Sequence, residues 1–185
     1  MIEVENLSKR YGEMLAAGGL GFVVRPGVVT GFLGPNGAGK PVTMRMIAGL
    51  DGPTAGRVKV NGRDYRAAPA PLAELGIVLE ARAVHTGRPA RHHLLALAQA
   101  NGVRRRRVDE LIGLAGLGEV AGKRAGGFSL GMGQRLGIAA ALLGDPAVVV
   151  LDEPVDGLDP DGVRWVRTLL QGWPPAVTPC SCPRT

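Results

Sequence analysis

The 185-residue chain has only two cysteines and seven aromatic side chains, and it lacks any apolar run of membrane-spanning length. Each shortage narrows the possibilities. Cys180 and Cys182 form a lone Cys-x-Cys near the end, with no second pair to complete a metal site, so they read as incidental thiols. A membrane helix needs about 18 apolar residues in a row; the longest apolar region, Leu136 to Leu151, is cut by Asp145-Pro146. Met1 leads straight into the charged alternation Ile2-Glu3-Val4-Glu5, which is not a signal peptide. A cytosolic protein is expected, reaching a membrane only through a partner. The net charge of +6 could suit nucleic acid, but aromatics are few and the arginines are scattered among Ala, Gly and Pro. The one dense patch, Arg104 to Arg107, opens a stretch with Val108, Leu111, Ile112 and Ala115 at helical spacing, so it reads as a solvated helix end. No nucleic-acid partner is expected. The length suits one domain, or one domain carrying an inserted subdomain.

What is present in abundance is glycine, and seven residues of the chain place it where chemistry needs it. Gly34-Pro35-Asn36-Gly37-Ala38-Gly39-Lys40 has the spacing of a phosphate-binding loop. The apolar, β-branched run Val28 to Leu33 before it reads as a buried strand, and Thr43 to Ala48 after it as a helix closed by Gly49. Strand, loop and helix in that order aim backbone N–H groups and a helix N-terminus at anions. Lys40 supplies the point charge for outer phosphates. A plain glycine-rich turn is the bland alternative, and the lysine in register argues against it.

Two further segments fit a nucleotide site. Ala147 to Leu151 is an apolar strand ending in Asp152-Glu153. Carboxylates at the C-terminal end of a parallel strand sit where α/β folds hold ligands. Asp152 is expected to hold Mg²⁺, directly or through water, and Glu153 to polarise an attacking water. Ser129-Leu130-Gly131-Met132 precedes a helical stripe of Leu136, Ala139, Ala140 and Leu143, so a serine and glycine would open a helix and cradle an anion.

Taken in order with Tyr11 and Gly157-Leu158-Asp159-Pro160, these motifs resemble the ATP-binding subunit of an ABC transporter, and within that family the drug-export (ABC-2 type) branch, from Met1 to about Gln171. The resemblance implies an α/β P-loop NTPase of ABC-cassette type, with an N-terminal antiparallel β portion and a helical subdomain at about 82–145. It implies ATP and Mg²⁺ as cofactors, with Tyr11 stacked on adenine. Ser129, Gly131 and Met132 would meet the γ-phosphate held by an opposite subunit, and Asp159 would link the two sites. Partners would be a second ATP-binding subunit, identical or different, and a transmembrane permease, which places the chain peripherally at the inner membrane face. A DNA-repair or chromosome ATPase of the same broad fold would carry coiled-coil or zinc insertions, and neither is present.

Four departures from the family stand out. Pro41 replaces the serine whose hydroxyl ligates Mg²⁺, deletes an N–H from the cradle, and should push Lys40 towards extended dihedrals. Val42 removes the adjoining hydroxyl. Glu80 stands where the family has a glutamine touching Mg²⁺, and the signature reads Ser-Leu-Gly-Met in place of Ser-Gly-Gly-Gln. After the stripe Val163, Val166, Leu169 and Leu170, residues 173–185 are expected to be an irregular Pro-rich tail, whose prolines forbid a central strand. No histidine follows the signature; His92-His93 reads as a partly exposed helix face. A lost 3′ reading frame is one explanation of the tail. The alternative to an active ATPase is therefore a hydrolysis-deficient cassette or an inactive heterodimer partner.

Overall fold

The structure is a computed structural model that describes residues 1–35, 37–80 and 84–172, and the backbone of 178–179. Asn36, expected in the phosphate loop, lies outside the described residues, as do Cys180 and Cys182.

The alternation at the N-terminus makes a half-buried strand: Ile2 and Val4 are buried in β1 (Ile2–Tyr11) while Glu5 is exposed. β1 pairs antiparallel with β2 (Met14–Val24) on one side and β4 (Ala55–Val60) on the other. α1 (Lys40–Ile47) buries Met44, Met46 and Ile47 in the same core cluster as these strands. The strand before it, β3 (Val29–Thr30), is only two residues long, much shorter than the apolar run suggested.

β5 (Leu75–Val78) and β6 (Val148–Leu151) pair parallel, from Leu75↔Val148 to Val78↔Leu151. All four β6 residues are buried, and they alternate between two cores. Val148 and Val150 join the cluster of the antiparallel sheet, whereas Val149 and Leu151 join a second cluster formed by helices. The short α2 (Pro71–Glu74) leads into β5.

The helical cluster is built by α3 (Ala90–Ala100), α4 (Arg105–Leu114) and α5 (Leu130–Ala141), which pack on one another, and α6 (Pro160–Gly172) is laid against them. The stripe Val108, Leu111, Ile112 and Ala115 is buried as its spacing predicts, and so are Leu136, Ala139 and Leu143. Arg104, Arg105 and Arg106 are exposed. Arg107 is not simply solvated: it turns inward to pair with Asp145 and donates to Leu142 O at 3.3 Å. His92 and His93 together make the partly exposed helix face expected of them. Only His92 is exposed; His93 is buried in α3, and that burial, then the charges of Arg88 and His85, hold its pKa below the ordinary value.

The tail also needs correcting. Thr178–Pro179 forms β7, paired parallel with β3 through Val29↔Thr178 and Thr30↔Pro179. Proline lacks a donor, but its carbonyl still accepts, so it can close a two-residue pairing although it could not sit within a longer central strand. Next to β3, an apolar cleft of about 320 Å³ is lined by Val23, Phe22, Phe32, Leu33 and Met44, and Val23 and Leu33 are more than half exposed.

Candidate functional site

The phosphate loop closes as the glycine spacing demands. Gly37 and Gly39 take φ of 83° and 74°, and a Cβ on Gly39 would lie 2.2 Å from Ala16 O, so only glycine fits there. α1 begins at Lys40, against the expectation that a following proline would hold Lys40 extended. The reason lies at Thr43. Its N–H and its Oγ1 both donate to Gly39 O at 2.8 Å, closing the first turn around Pro41. Proline in a first helical turn loses only an N–H that has no intrahelical partner. Thr43 is fully buried, with its hydroxyl turned back onto Gly39 O, so it does not stand in for the missing serine. Val42 packs against the apolar core. Lys40 Nζ curls back and donates to Gly34 O at 2.5 Å and to Pro35 O at 3.3 Å.

The parallel pair β5–β6 brings two expected metal ligands to one end of the sheet. Glu80 follows β5 and is exposed; Asp152 follows β6 and donates its N–H to Val78 O at 2.8 Å. Glu153 is exposed at a left-handed φ of 44°, a conformation that costs a non-glycine residue on the order of 1–3 kcal/mol and tends to mark functional sites.

Ser129 caps α5 as its position predicts, its Oγ accepting from Met132 N–H at 3.2 Å. Asp159 caps α6 in the same way, Oδ1 accepting from Gly162 N–H at 2.7 Å. The two caps lie side by side. Ser129, Gly131, Met132 and Asp159 share a groove of about 720 Å³, and none of the described residues within 34–42 lines it. The candidate residues thus fall into two half-sites on one chain, the loop with its carboxylates and the groove.

At the far end of α1 a third group assembles, which sequence reasoning found only in part. Tyr11 is 45% exposed and donates its hydroxyl to Asp51 Oδ2 at 3.1 Å. Arg45, on α1, reaches the same carboxylate from Nε at 2.8 Å. Lys9 Nζ sits 5.0 Å from the Tyr11 ring centroid and donates to Gly52 O at 2.7 Å. The Arg45 hydrogen bond holds the Asp51 carboxyl below its usual range, and Asp51 in turn, with a small part from Glu80, raises the pKa of the Arg45 guanidinium. Asp51 and Tyr11 are 40 residues apart and meet through tertiary packing, including the pairing of β1 with β4, so no local pattern signals the contact.

The loop geometry fits the phosphates of a nucleotide, short of one N–H. For Mg²⁺ the fit is partial. Position 41 has no side-chain oxygen to give, the Thr43 hydroxyl is fully buried, and among the described residues no three His, Cys, Asp or Glu side chains converge on a point. An accompanying ion would rest on the nucleotide, on water and on the carboxylate of Asp152.

A glycine loop at a helix N-terminus, beside parallel strands that end in carboxylates, defines a P-loop nucleotide-binding cassette. The chain belongs to the ABC transporter family, whose pattern matches residues 18–156, and carries its ATP-binding domain. It is 39% identical over 172 residues to the bacitracin transport ATP-binding protein BcrA of Bacillus licheniformis, covering 92% of this chain and 56% of that one. It is 32% identical over 173 residues to the lantibiotic transport ATP-binding protein SrtF of Streptococcus pyogenes, covering 94% and 75%. The chain therefore spans little more than half the length of BcrA. Among solved structures, an ATP-binding subunit of an ABC transporter superposes with a TM-score of 0.86 at 26% identity, over 98% of this chain and 79% of that one. A dimeric post-hydrolysis state of the cassette MJ0796, bound to ADP and Pi, gives 0.87 at 22%, over 99% and 88%, which supports the fold alone. No helix among the described residues is long and apolar enough to cross a membrane.

Proposed function

We propose that the chain binds ATP and powers an export permease, and that its loop does so with reduced affinity and slow hydrolysis. The observation that carries this is the loop itself: Gly39 in the left-handed region at the start of α1, with Lys40 folded over the loop carbonyls. Phosphate oxygens would take over the Lys40 ammonium from Gly34 and Pro35. Tyr11 would stack on the base, and Gly34, Gly37, Ala38 and Gly39 would wrap the phosphates. Mg²⁺, near Asp152 and Glu80, would screen phosphate charge. Glu153, exposed beside them, would orient water for attack on the terminal phosphate.

The separation of the two half-sites supports a dimer in which the groove of one chain, with Ser129, Gly131, Met132 and Asp159, closes over the loop of another. The helices within 82–145 would meet the permease, placing the chain at the inner membrane face. The names of BcrA and SrtF put peptide antibiotics first among candidate cargoes. Slow hydrolysis is expected because neither Pro41 nor Val42 carries a side-chain hydroxyl for the ion that accompanies the nucleotide.

A ligand that binds only the native state raises its stability by RT ln(1 + [ATP]/Kd), about 2.7 kcal/mol at 100 times Kd. Melting the full chain with and without MgATP should therefore show an upward shift that Lys40→Ala abolishes. A cooperative transition indifferent to millimolar ATP, in the chain and in Pro41→Ser alike, would refute the proposal.

A further inference from the structure

The loop and its carboxylates account for the phosphate end of a nucleotide, but not for the assembly around Tyr11. A tyrosine used only as a stacking surface needs no partner for its hydroxyl. Here the hydroxyl is engaged by Asp51, and Asp51 is itself fixed twice: its carboxylate takes Arg45 Nε at 2.8 Å, and its N–H donates to Arg45 O at 3.3 Å. Arg45 stands on the helix whose first turn forms the phosphate cradle. The Lys9 ammonium lies over one face of the ring, held by Gly52 O. A ring anchored at its hydroxyl and covered on one face offers a single face to a ligand.

We propose that Asp51 is a positioning residue for the nucleotide base: with Arg45 and Lys9 it fixes the Tyr11 ring as a one-sided stacking platform in register with the phosphate loop. This rests on the nucleotide-binding reading above. A base prefers an aromatic face at van der Waals distance and fixed tilt, and a freely turning tyrosyl side chain would lose rotamer entropy on binding. The Asp51 contact removes that freedom in advance. Because the anchor hangs from α1, the platform and the cradle keep their spacing.

The test compares ATP with inorganic tripolyphosphate, which carries the phosphates without a base. Dissociation constants are measured for the full chain and for Pro41→Ser, with Tyr11→Ala, Tyr11→Phe and Asp51→Ala introduced into each. Tyr11→Ala should erase the preference for ATP over tripolyphosphate. Asp51→Ala and Tyr11→Phe should each reduce it about threefold to tenfold, the usual worth of one net hydrogen bond. Their combination should do no more than either alone, and tripolyphosphate affinity should not move. Asp51→Asn, whose amide oxygen still accepts from Tyr11, should retain most of the preference. If Tyr11→Ala erases the preference while Asp51→Ala leaves it intact, the positioning role is overturned and nucleotide binding stands. The same holds if Asp51→Ala weakens ATP and tripolyphosphate equally. If neither parent protein binds ATP or tripolyphosphate, the nucleotide reading falls and takes this inference with it.

Discussion

Exchanging Pro41 isolates the value of one missing backbone donor. In the first turn of α1, the Thr43 N–H is already bonded to Gly39 O, so the donors at positions 40, 41 and 42 are the ones with no partner inside the helix. Proline removes one of these three. A hydrogen bond to a charged group contributes roughly 1.5–3 kcal/mol, so Pro41→Ala alone should tighten ATP by about tenfold to 150-fold. Pro41→Ser combined with Val42→Thr adds the hydroxyls, and only that variant should gain further when Mg²⁺ is supplied. Stability should move the opposite way. Losing the proline frees the unfolded chain and costs roughly 0.4–1 kcal/mol, so the ligand-free protein should melt slightly lower. Tighter binding from a less stable protein is hard to ascribe to general repair of the fold. Isothermal titration with ATP, with and without Mg²⁺, and melting without ligand, make the measurement. If Pro41→Ala stays within twofold of the parent while remaining folded, the N–H at position 41 is not part of the cradle and the argument fails.

Three other predictions concern the frame that holds the site. Gly39→Ala should abolish nucleotide binding and lower the melting temperature, because its Cβ would meet Ala16 O at 2.2 Å; an unchanged ATP-induced shift would contradict the loop geometry. Leu136 is fully buried, so Leu136→Ala should cost about 2–5 kcal/mol in urea unfolding. His93 is kept neutral by burial, whereas in the unfolded chain it gains a proton as the pH falls below its ordinary value of 6.5. The unfolded state then binds more protons, so this group removes stability as the pH drops from about 6.5 and stops doing so below the depressed folded pKa. The difference in urea midpoint between the parent and His93→Gln should therefore change across that range and stay flat above it; no change would mean His93 titrates normally.

How far the sequence disclosed these features depended on how local each one is. Gly34 to Lys40, the stripe along α4 and the Ser129 cap depend on neighbours within a turn or two, and all were legible. Lys40 was misjudged because the preference of a residue before proline is weaker than the two bonds Thr43 makes to Gly39. Which of His92 and His93 would be buried was not legible, because adjacent residues on a helix point about 100° apart and only the packing of α3 decides between them. Residues 178–179 were judged on proline content, which misses a pairing only two residues long. Asp51 could not be found, since its partner Tyr11 is distant in sequence and the contact forms through tertiary packing.

The close contacts of Gly76 and Gly144 bear on how the groove could move. A Cβ on Gly76 would lie 2.2 Å from Ala141 O at the C-terminal end of α5, and one on Gly144 would lie 2.3 Å from Leu72 O. That end of α5 is pressed backbone to backbone against β5 and the segment before it. Ser129 lies at the other end. A helix of this length is about 18 Å long, so a tilt of ~5° about the pinned end would sweep Ser129 through roughly 1.5 Å. Gly76→Ala, by pushing on that end of α5, should therefore displace the cap at the other end more than the strand beneath it, as amide shifts at Ser129 and Met132 would reveal.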